Sequence, residues 1–408
     1  MKNPIRLLIA VASLCFLVTS AYTQTGTPAQ EDAPEEVWKR HMLDASVALK
    51  ENIFQDALIS LQSALRVAER FGPDDPRLGN TINLMATFMS SQGRFVEATT
   101  LSRRSLAIRE RALGKNHLEV AAALDSLAAL YRDQDRFGDA VALLQRSLSI
   151  REEAYGGDHS AVDASINRLA MVYTAQDQQE QVEPLLKRSI EIRESSLGED
   201  HPLVAVALNN LGTFLHSRGE LEQAEPLLRR AWKIREKNYG LQHPEVERSV
   251  ASLAALYYDL RRFDQTEVMM KLSISIRENT LGGDDRMVAV ALEDLALFYV
   301  NQKRYAEVEP LLERSISIEE KAFGQNHPLL AKNIGNLAVV HLTQEDYARA
   351  APLLKRLLAI REESDGPEHL NLVPVLENLA EVYSKLGRGT VAERFAKRAK
   401  GITVRSNR

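Results

Sequence analysis

The sequence predicts an all-α fold in which about nine antiparallel helix pairs stack into an α-solenoid. Four columns of residues that recur every 42 positions over most of the 408-residue chain lead to this prediction. The first column holds histidine in six repeats and aspartate in two: His117, His159, His201, His243, His327, His369, Asp75 and Asp285. Ten residues later stands Leu or Met, followed by Ala or Gly; near the end of the repeat stands a glycine. A fixed period of this length indicates a helical repeat array, whose repeats bury their faces against one another.

The N-terminus precedes the periodic region and reads as a targeting segment. Lys2 and Arg6 give it a basic start, residues 7–18 are apolar, and small residues end at Ala21. An apolar run of this length is too short for a membrane-spanning helix and is typical of a secretory signal peptide. The predicted signal peptide covers residues 1–21. The alternative is an uncleaved membrane anchor. The chain's single cysteine, Cys15, lies in this run, so the mature chain would contain no disulfide.

Residues 22–34 separate the signal segment from the repeats. They are rich in Thr, Gln, Pro and acidic residues and have no apolar period. We therefore expect a disordered leader, because such a segment cannot bury enough apolar surface to fold.

The repeat that begins at His201 shows how each helix pair is expected to form. Val204, Leu208 and Leu211 recur at helical spacing, and Pro202 suits the first helical position, which leaves His201 near the N-cap. A second helix is predicted over 221–239, ended by Gly240 in a left-handed conformation. The array is expected to occupy residues 35–401, followed by a basic tail at 402–408. Its repeats begin near residues 35, 76, 118, 160, 202, 244, 286, 328 and 370.

Two local motifs carry a resemblance to a known family. The pattern Leu-Ala-x-x-Tyr recurs at Leu127–Tyr131, Leu253–Tyr257 and Leu295–Tyr299, and it resembles the tetratricopeptide repeat. The 42-residue period, the His-Pro start and the run EPLLRRAWKIREKNYG, which ends at Gly240, are similar to the long repeats of the kinesin light chain branch. The resemblance implies a right-handed superhelix whose first helices line a concave groove for a protein or peptide partner.

No arrangement of residues in the sequence indicates catalysis, a metal or a cofactor. The chain contains no phosphate-binding loop, zinc-protease motif or nucleophile elbow. Histidines one repeat apart lie on helix layers about 8–10 Å apart, whereas zinc ligands lie about 2 Å from the ion. The recurring Ile-Arg-Glu triplets indicate a ridge of ion pairs. A net charge of −5 gives no reason to expect nucleic-acid binding. The sequence thus predicts a non-enzymatic binding protein.

The back of the first helix in each repeat is the predicted binding surface. Positions 5, 9, 12 and 16 after the histidine lie opposite the apolar stripe at 100° per residue, and they carry mostly small, neutral and amide side chains. The resemblance implies that these positions meet an extended peptide, to which an Asn amide can both donate and accept hydrogen bonds. The candidate groove residues are Arg168, Met171, Val206, Asn210, Thr213, Arg248, Ser252, Asp259, Asp294, Lys332, Asn336 and Asn378. The alternative is that the Asn residues belong only to the repeat consensus.

Three of these candidates resemble a more specific device. Lys332 and Asn336, with Asn378 one repeat later, are similar to the first part of the family's clamp for a peptide C-terminal carboxylate. The clamp requires further basic residues in a third repeat, which this array lacks.

Two functions remain open from the sequence. The first is an exported, periplasmic or extracellular solenoid that binds a protein or peptide in its groove. The second is a scaffold or assembly factor of the cell envelope that uses its outer ridges or its basic C-terminal helix, residues 391–400, through which it would contact an anionic surface. The identity of the partner and the oligomeric state are left open.

The signal segment gives a direct prediction. Cleavage after Ala21 should leave a mature chain that begins at Tyr22. Intact-mass analysis of the exported protein should show the loss of residues 1–21. A full-length product retained in the membrane would identify the segment as an anchor.

Overall fold

The computed structural model describes residues 33–406, and these residues form α-helices joined by short turns. No β-strand occurs among them, which confirms the predicted all-α fold of repeated helix pairs. The predicted signal peptide and nearly all of the predicted leader lie outside the described residues. The described chain divides into two compact bodies, an N-terminal body that ends at Glu199 and a C-terminal body that begins at Asp200.

The N-terminal body contains four helix pairs. Within each pair, a turn of a few residues reverses the chain, so the two helices pack antiparallel. The described helices are α1 (Pro34–Lys50), α2 (Phe54–Ala68), α3 (Pro76–Ser91), α4 (Phe95–Leu113), α5 (Leu118–Arg132), α6 (Phe137–Tyr155), α7 (Ser160–Ala175) and α8 (Gln179–Leu197).

The C-terminal body contains five helix pairs of the same kind. A short 3₁₀ turn, Leu370–Leu372, precedes the first helix of its last pair. The described helices are α9 (Pro202–Ser217), α10 (Leu221–Tyr239), α11 (Pro244–Asp259), α12 (Phe263–Leu281), α13 (Arg286–Asn301), α14 (Tyr305–Phe323), α15 (Leu330–Thr343), α16 (Tyr347–Asp365), α17 (Val373–Lys385) and α18 (Gly389–Ser406).

The last helix corrects the expected end of the array. We expected a basic tail from residue 402, but α18 continues through Gly401 to Ser406. The reason is Ile402, which is 4% exposed and belongs to the apolar core of the C-terminal body. Burying that side chain favours one further helical turn over a solvated tail.

The histidine column forms the N-caps of six first helices, as its position predicts; α15 and α17 begin a few residues later. In α5, α7, α9 and α11 the Nδ1 atom of the histidine accepts a hydrogen bond from the backbone N–H two residues later, at 3.1–3.2 Å. Asp75 and Asp285 do the same with a carboxylate oxygen, at 2.8 and 2.7 Å. Either side chain satisfies one of the free N–H groups at a helix start, which explains why Asp and His share this column.

The glycine column differs in detail from its prediction. Gly198 and Gly240 have positive φ, at 87° and 80°, as expected. Their ψ angles, 152° and 156°, place them outside the ordinary left-handed helical region. This part of backbone space is open almost only to glycine, so the column is more restrictive than a left-handed cap would be.

At several junctions within each body, an arginine of the second helix joins one helix pair to the next. In the N-terminal body, Arg151 of α6 donates to Asp125 of α5 at 2.6 Å and to Ser165 of α7 at 2.7 Å. In the C-terminal body, Arg277 of α12 donates to Glu247 of α11 at 2.7 Å and to the Met287 carbonyl of α13 at 3.0 Å. One side chain of the second helix thus binds the first helices on both sides of it.

The glutamate of the same Ile-Arg-Glu triplet lies on a separate, more exposed surface. Glu110 pairs with Arg146 at 2.6 Å, and Glu278 pairs with Arg314 at 2.5 Å. Arg146 also donates to the Lys115 carbonyl at the turn between repeats. These contacts confirm the predicted ion-paired ridge, which runs along the second helices of each body.

The glycine geometry predicts the effect of a substitution at Gly240. No atom lies within 4 Å of an added Cβ there, so the cost arises from backbone strain alone. Gly240→Val should lower the free energy of unfolding by about 1–3 kcal/mol. The measurement is the urea midpoint by circular dichroism.

The matched control is Gly401→Ala, inside α18, where an added Cβ also meets open space. It should raise stability by about 0.5–1 kcal/mol, because alanine favours the helix. An unchanged midpoint for Gly240→Val would contradict the strained conformation.

Candidate functional site

A cleft opens between the first helices α11 and α13 of the C-terminal body. We call it the α11–α13 cleft; its volume is about 420 Å³. Most of its walls are apolar or small. Its lining comprises Ala251, Ala254, Ala255, Tyr258 and Asp259 of α11, Thr266, Met270, Ser273 and Arg277 of α12, and Ala291, Asp294, Leu297, Phe298 and Asn301 of α13.

The predicted columns account for the rim of this cleft but not for its floor. Asp259 and Asp294, both predicted from the sequence, lie on the facing helices α11 and α13. The floor comes from the second helix α12 and includes Met270 and Arg277. Neither residue belongs to the columns of the first helices, so neither was a sequence candidate. The recurrence of arginine in the Ile-Arg-Glu triplets is the signal that could have placed Arg277 there.

A second cleft lies one repeat further along the same body, between α13 and α15. This α13–α15 cleft has a volume of about 170 Å³, and α14 forms its floor. Leu297 lines both clefts, and its side chain is 60% exposed. Asn336, a predicted candidate, lines the second cleft beside Val339. Two adjacent clefts with equivalent walls thus lie along the C-terminal body.

Two carboxylates, those of Asp259 and Asp294, lie in the α11–α13 cleft. Partial burial, reinforced by the neighbouring Glu293, raises the pKa of the Asp294 carboxyl above its usual range. Arg277 and Lys332 oppose this effect, but both bind other carboxylates: Arg277 binds Glu247 at 2.7 Å, and Lys332 binds Glu293 at 2.8 Å. Asp259 differs, because its Oδ2 atom lies 2.6 Å from Nε2 of His216 on α9.

The candidates on α9 and α11 lie at the surface but are not equally free to bind. Thr213 donates its hydroxyl to the Asn209 carbonyl at 2.8 Å, and Ser252 donates to the Arg248 carbonyl at 3.1 Å. Arg248 itself lies 3.5 Å from Glu245. Val206 is half-buried and Asn210 is exposed. Neither lines the α11–α13 cleft.

Lys332, Asn336 and Asn378, which resemble part of a carboxylate clamp in sequence, differ in their surroundings. Lys332 Nζ donates to Glu293 Oε2 at 2.8 Å, which neutralises the charge that would bind a peptide carboxylate. That bond raises the pKa of Lys332. Asn336 instead lines the α13–α15 cleft, while Asn378 is half-buried on α17. The three residues therefore do not form a cationic clamp.

The two candidates of the N-terminal body lie on α7. Arg168 pairs with Asp125 at 3.3 Å, the same carboxylate that binds Arg151. Met171 is 59% exposed. Both side chains lie at the surface of that body, on the face opposite its apolar core.

Two further searches cover the described residues only. Within 33–406, no group of three or more His, Cys, Asp or Glu side chains is placed to hold a metal ion. None of the described helices is both long and apolar enough to cross a membrane.

Family comparisons agree with this architecture. Sequence models of the tetratricopeptide repeat match residues 77–153, 127–195, 162–237, 287–363 and 333–402, and a second model of the same repeat matches 248–286. Together these matches span well over half of the chain. The chain therefore belongs to the tetratricopeptide repeat family, whose members are generally non-enzymatic modules for protein–protein interaction.

Solved structures similar to the chain include several repeat proteins. The apo form of RapI is 11% identical, with a TM-score of 0.56 over 91% of this chain and 98% of that one. A protein of Podosopora anserina assigned to the kinesin light chains is 24% identical, covers 50% of this chain and 97% of its own, and has a TM-score of 0.46. BtubC from P. vanneervenii is 22% identical, with coverages of 61% and 93% and a TM-score of 0.46. No curated protein matches the sequence.

Proposed function

We propose that the chain binds an extended segment of a partner protein across the first helices of its C-terminal body. The observation that carries this proposal is the pair of adjacent clefts joined by Leu297. Leu297 and Val339 leave 60% and 53% of their surface exposed at equivalent positions of α13 and α15. Covering such apolar surface is favourable, at about 25 cal/mol per Å².

The clefts suit recognition and not bond making. Their walls combine apolar side chains with polar groups, among them Asp259, Asp294 and Asn301 in the first cleft and Asn336 in the second. Binding sites commonly use such sparse polar groups to orient a ligand held mainly by apolar contact. The partner's backbone would pair with the amides, and its side chains would enter the clefts.

We place this activity outside the cytoplasm. The basic start, the apolar run at residues 7–18 and the small residues before Tyr22 favour export, with a periplasmic or extracellular mature chain. The partner would then be a protein of the same compartment.

A second function, an envelope scaffold that works through its C-terminal end, is favoured by the surface of α18. Three basic side chains are exposed on this helix: Arg394, Lys397 and Lys400. Such a surface would attract an anionic partner through long-range electrostatics.

The test uses a peptide selected from a random dodecapeptide library on the full chain. Ala255 is exposed and lines the α11–α13 cleft, so Ala255→Trp should fill part of the cleft. We expect this variant to weaken the selected peptide at least about tenfold, or about 1.4 kcal/mol. The measurement is fluorescence anisotropy, with circular dichroism to verify folding.

The matched control is Ala322→Trp, the same change at an exposed residue of α14 that lines neither cleft. It should bind like wild type. Equal binding by both variants, together with loss of binding in Lys397→Glu/Lys400→Glu, would reject the clefts and assign the working surface to α18.

A further inference from the structure

We propose that the α11–α13 cleft selects a peptide in which an apolar side chain is accompanied, within two residues, by a lysine or arginine that pairs with Asp294. The inference rests on the proposed function and specifies the chemistry of its ligand. Charge complementarity identifies the occupant, because the cleft combines apolar walls with a carboxylate whose neighbouring cations are already bound.

The apolar part of the ligand is assigned by the walls. Ala251, Ala254 and Ala255 of α11 leave space opposite Leu297, and the aromatic rings of Tyr258 and Phe298 close the sides. Those two rings lie edge to face, with centroids 6.3 Å apart. A large apolar side chain fits a space of about 420 Å³ and removes the exposed face of Leu297 from water.

Asp294 indicates that the ligand also carries a cationic side chain. Its carboxyl carries a raised pKa because burial and Glu293 both disfavour the ionised form. Arg277 reaches the cleft, but it donates to Glu247 and to the Met287 carbonyl. A ligand cation beside Asp294 would therefore form a charge-assisted hydrogen bond that the protein leaves unmade.

The spacing along α13 sets the spacing in the ligand. Asp294, Leu297 and Asn301 follow one another at intervals of three and four, so they share one face of the helix. Asp294 and Leu297 lie about 4.5 Å apart along the helix axis. An extended peptide advances about 3.3 Å per residue, so its basic and apolar side chains must lie one or two residues apart.

The corresponding positions of the α13–α15 cleft show why the cation belongs to the first cleft. Asn336 replaces Asp294 there, and Glu293, which also lines that cleft, is bound by Lys332. That cleft presents a neutral rim to the next part of the peptide.

The experiment starts from a random dodecapeptide phage library selected on the immobilised full chain. Selected sequences should be enriched in an apolar residue with Lys or Arg one or two positions away. A synthetic peptide of the most enriched sequence should bind Asp294→Asn about tenfold more weakly than wild type. Changing the peptide's basic residue to Gln should weaken its binding to wild type by about the same factor. The same change should not weaken its binding to Asp294→Asn any further.

The matched control is Asp264→Asn, which removes an exposed carboxylate of α12 that does not line the cleft, and it should leave affinity unchanged. Selected peptides without a basic residue, or wild-type affinity in Asp294→Asn, would overturn this inference. If Ala255→Trp still blocks binding in that case, the proposed function stands. If Ala255→Trp also has no effect, or if no peptide is enriched, the proposed function fails as well.

Discussion

The arginine that several second helices insert between neighbouring first helices is the contact on which the repeat stack depends within each body. A helix pair alone leaves apolar faces exposed, so it is stable only against its neighbours. Apolar packing supplies the energy, but it fixes the position of a neighbour only loosely. The planar guanidinium, with five donors, can bind two helices at once in one geometry. Arg151 and Arg277 each do so.

The same contact connects the fold to the candidate site. Arg277 lines the α11–α13 cleft, yet its N–H groups donate to Glu247 and to the Met287 carbonyl. Its guanidinium therefore stabilises the junction between helix pairs and is not available to a ligand. Of the two carboxylates in the cleft, Asp259 contacts His216, whereas Asp294 is hydrogen-bonded to neither Arg277 nor Lys332. The fold determines the sign of the charge that a ligand meets.

One junction departs from the arginine pattern and has a different consequence. Glu319 of α14 replaces the arginine, and the buried Asn333 amide of α15 donates to both Glu319 and Glu293, at 2.9 and 2.6 Å. Burial raises the pKa of Glu319, while Lys332 binds Glu293. Lys332, which resembles part of a carboxylate clamp in sequence, thus binds a carboxylate at the junction where glutamate replaces the arginine.

The sequence period predicts the helix pairs because each marker acts locally. His201 caps the helix that follows it, and Gly240 ends the helix before it, so spacing alone assigns both. The clefts depend on how helices pack in space, and the period of first helices says nothing about Met270 on the floor. The partners of long side chains are equally non-local. Lys332 resembles part of a ligand clamp in sequence, yet it binds Glu293 of the preceding first helix. Asp259 and Asp294 were predicted correctly as surface positions, while their role in binding remains a proposal.

The most direct test of the arginine junction is local hydrogen exchange around Arg151. This residue and its partner Asp125 are 13% and 12% exposed. Removing the arginine leaves Asp125 with the longer, 3.3 Å contact to the more exposed Arg168, so the partly buried carboxylate is poorly compensated. Arg151→Met should destabilise the junction by about 2 kcal/mol, and amide exchange in α6 and α7 should accelerate about 30-fold. Arg151→Met/Asp125→Leu should recover most of the protection, because the apolar pair needs no partner. Wild-type exchange rates in Arg151→Met would contradict the claim that this contact holds neighbouring helix pairs together.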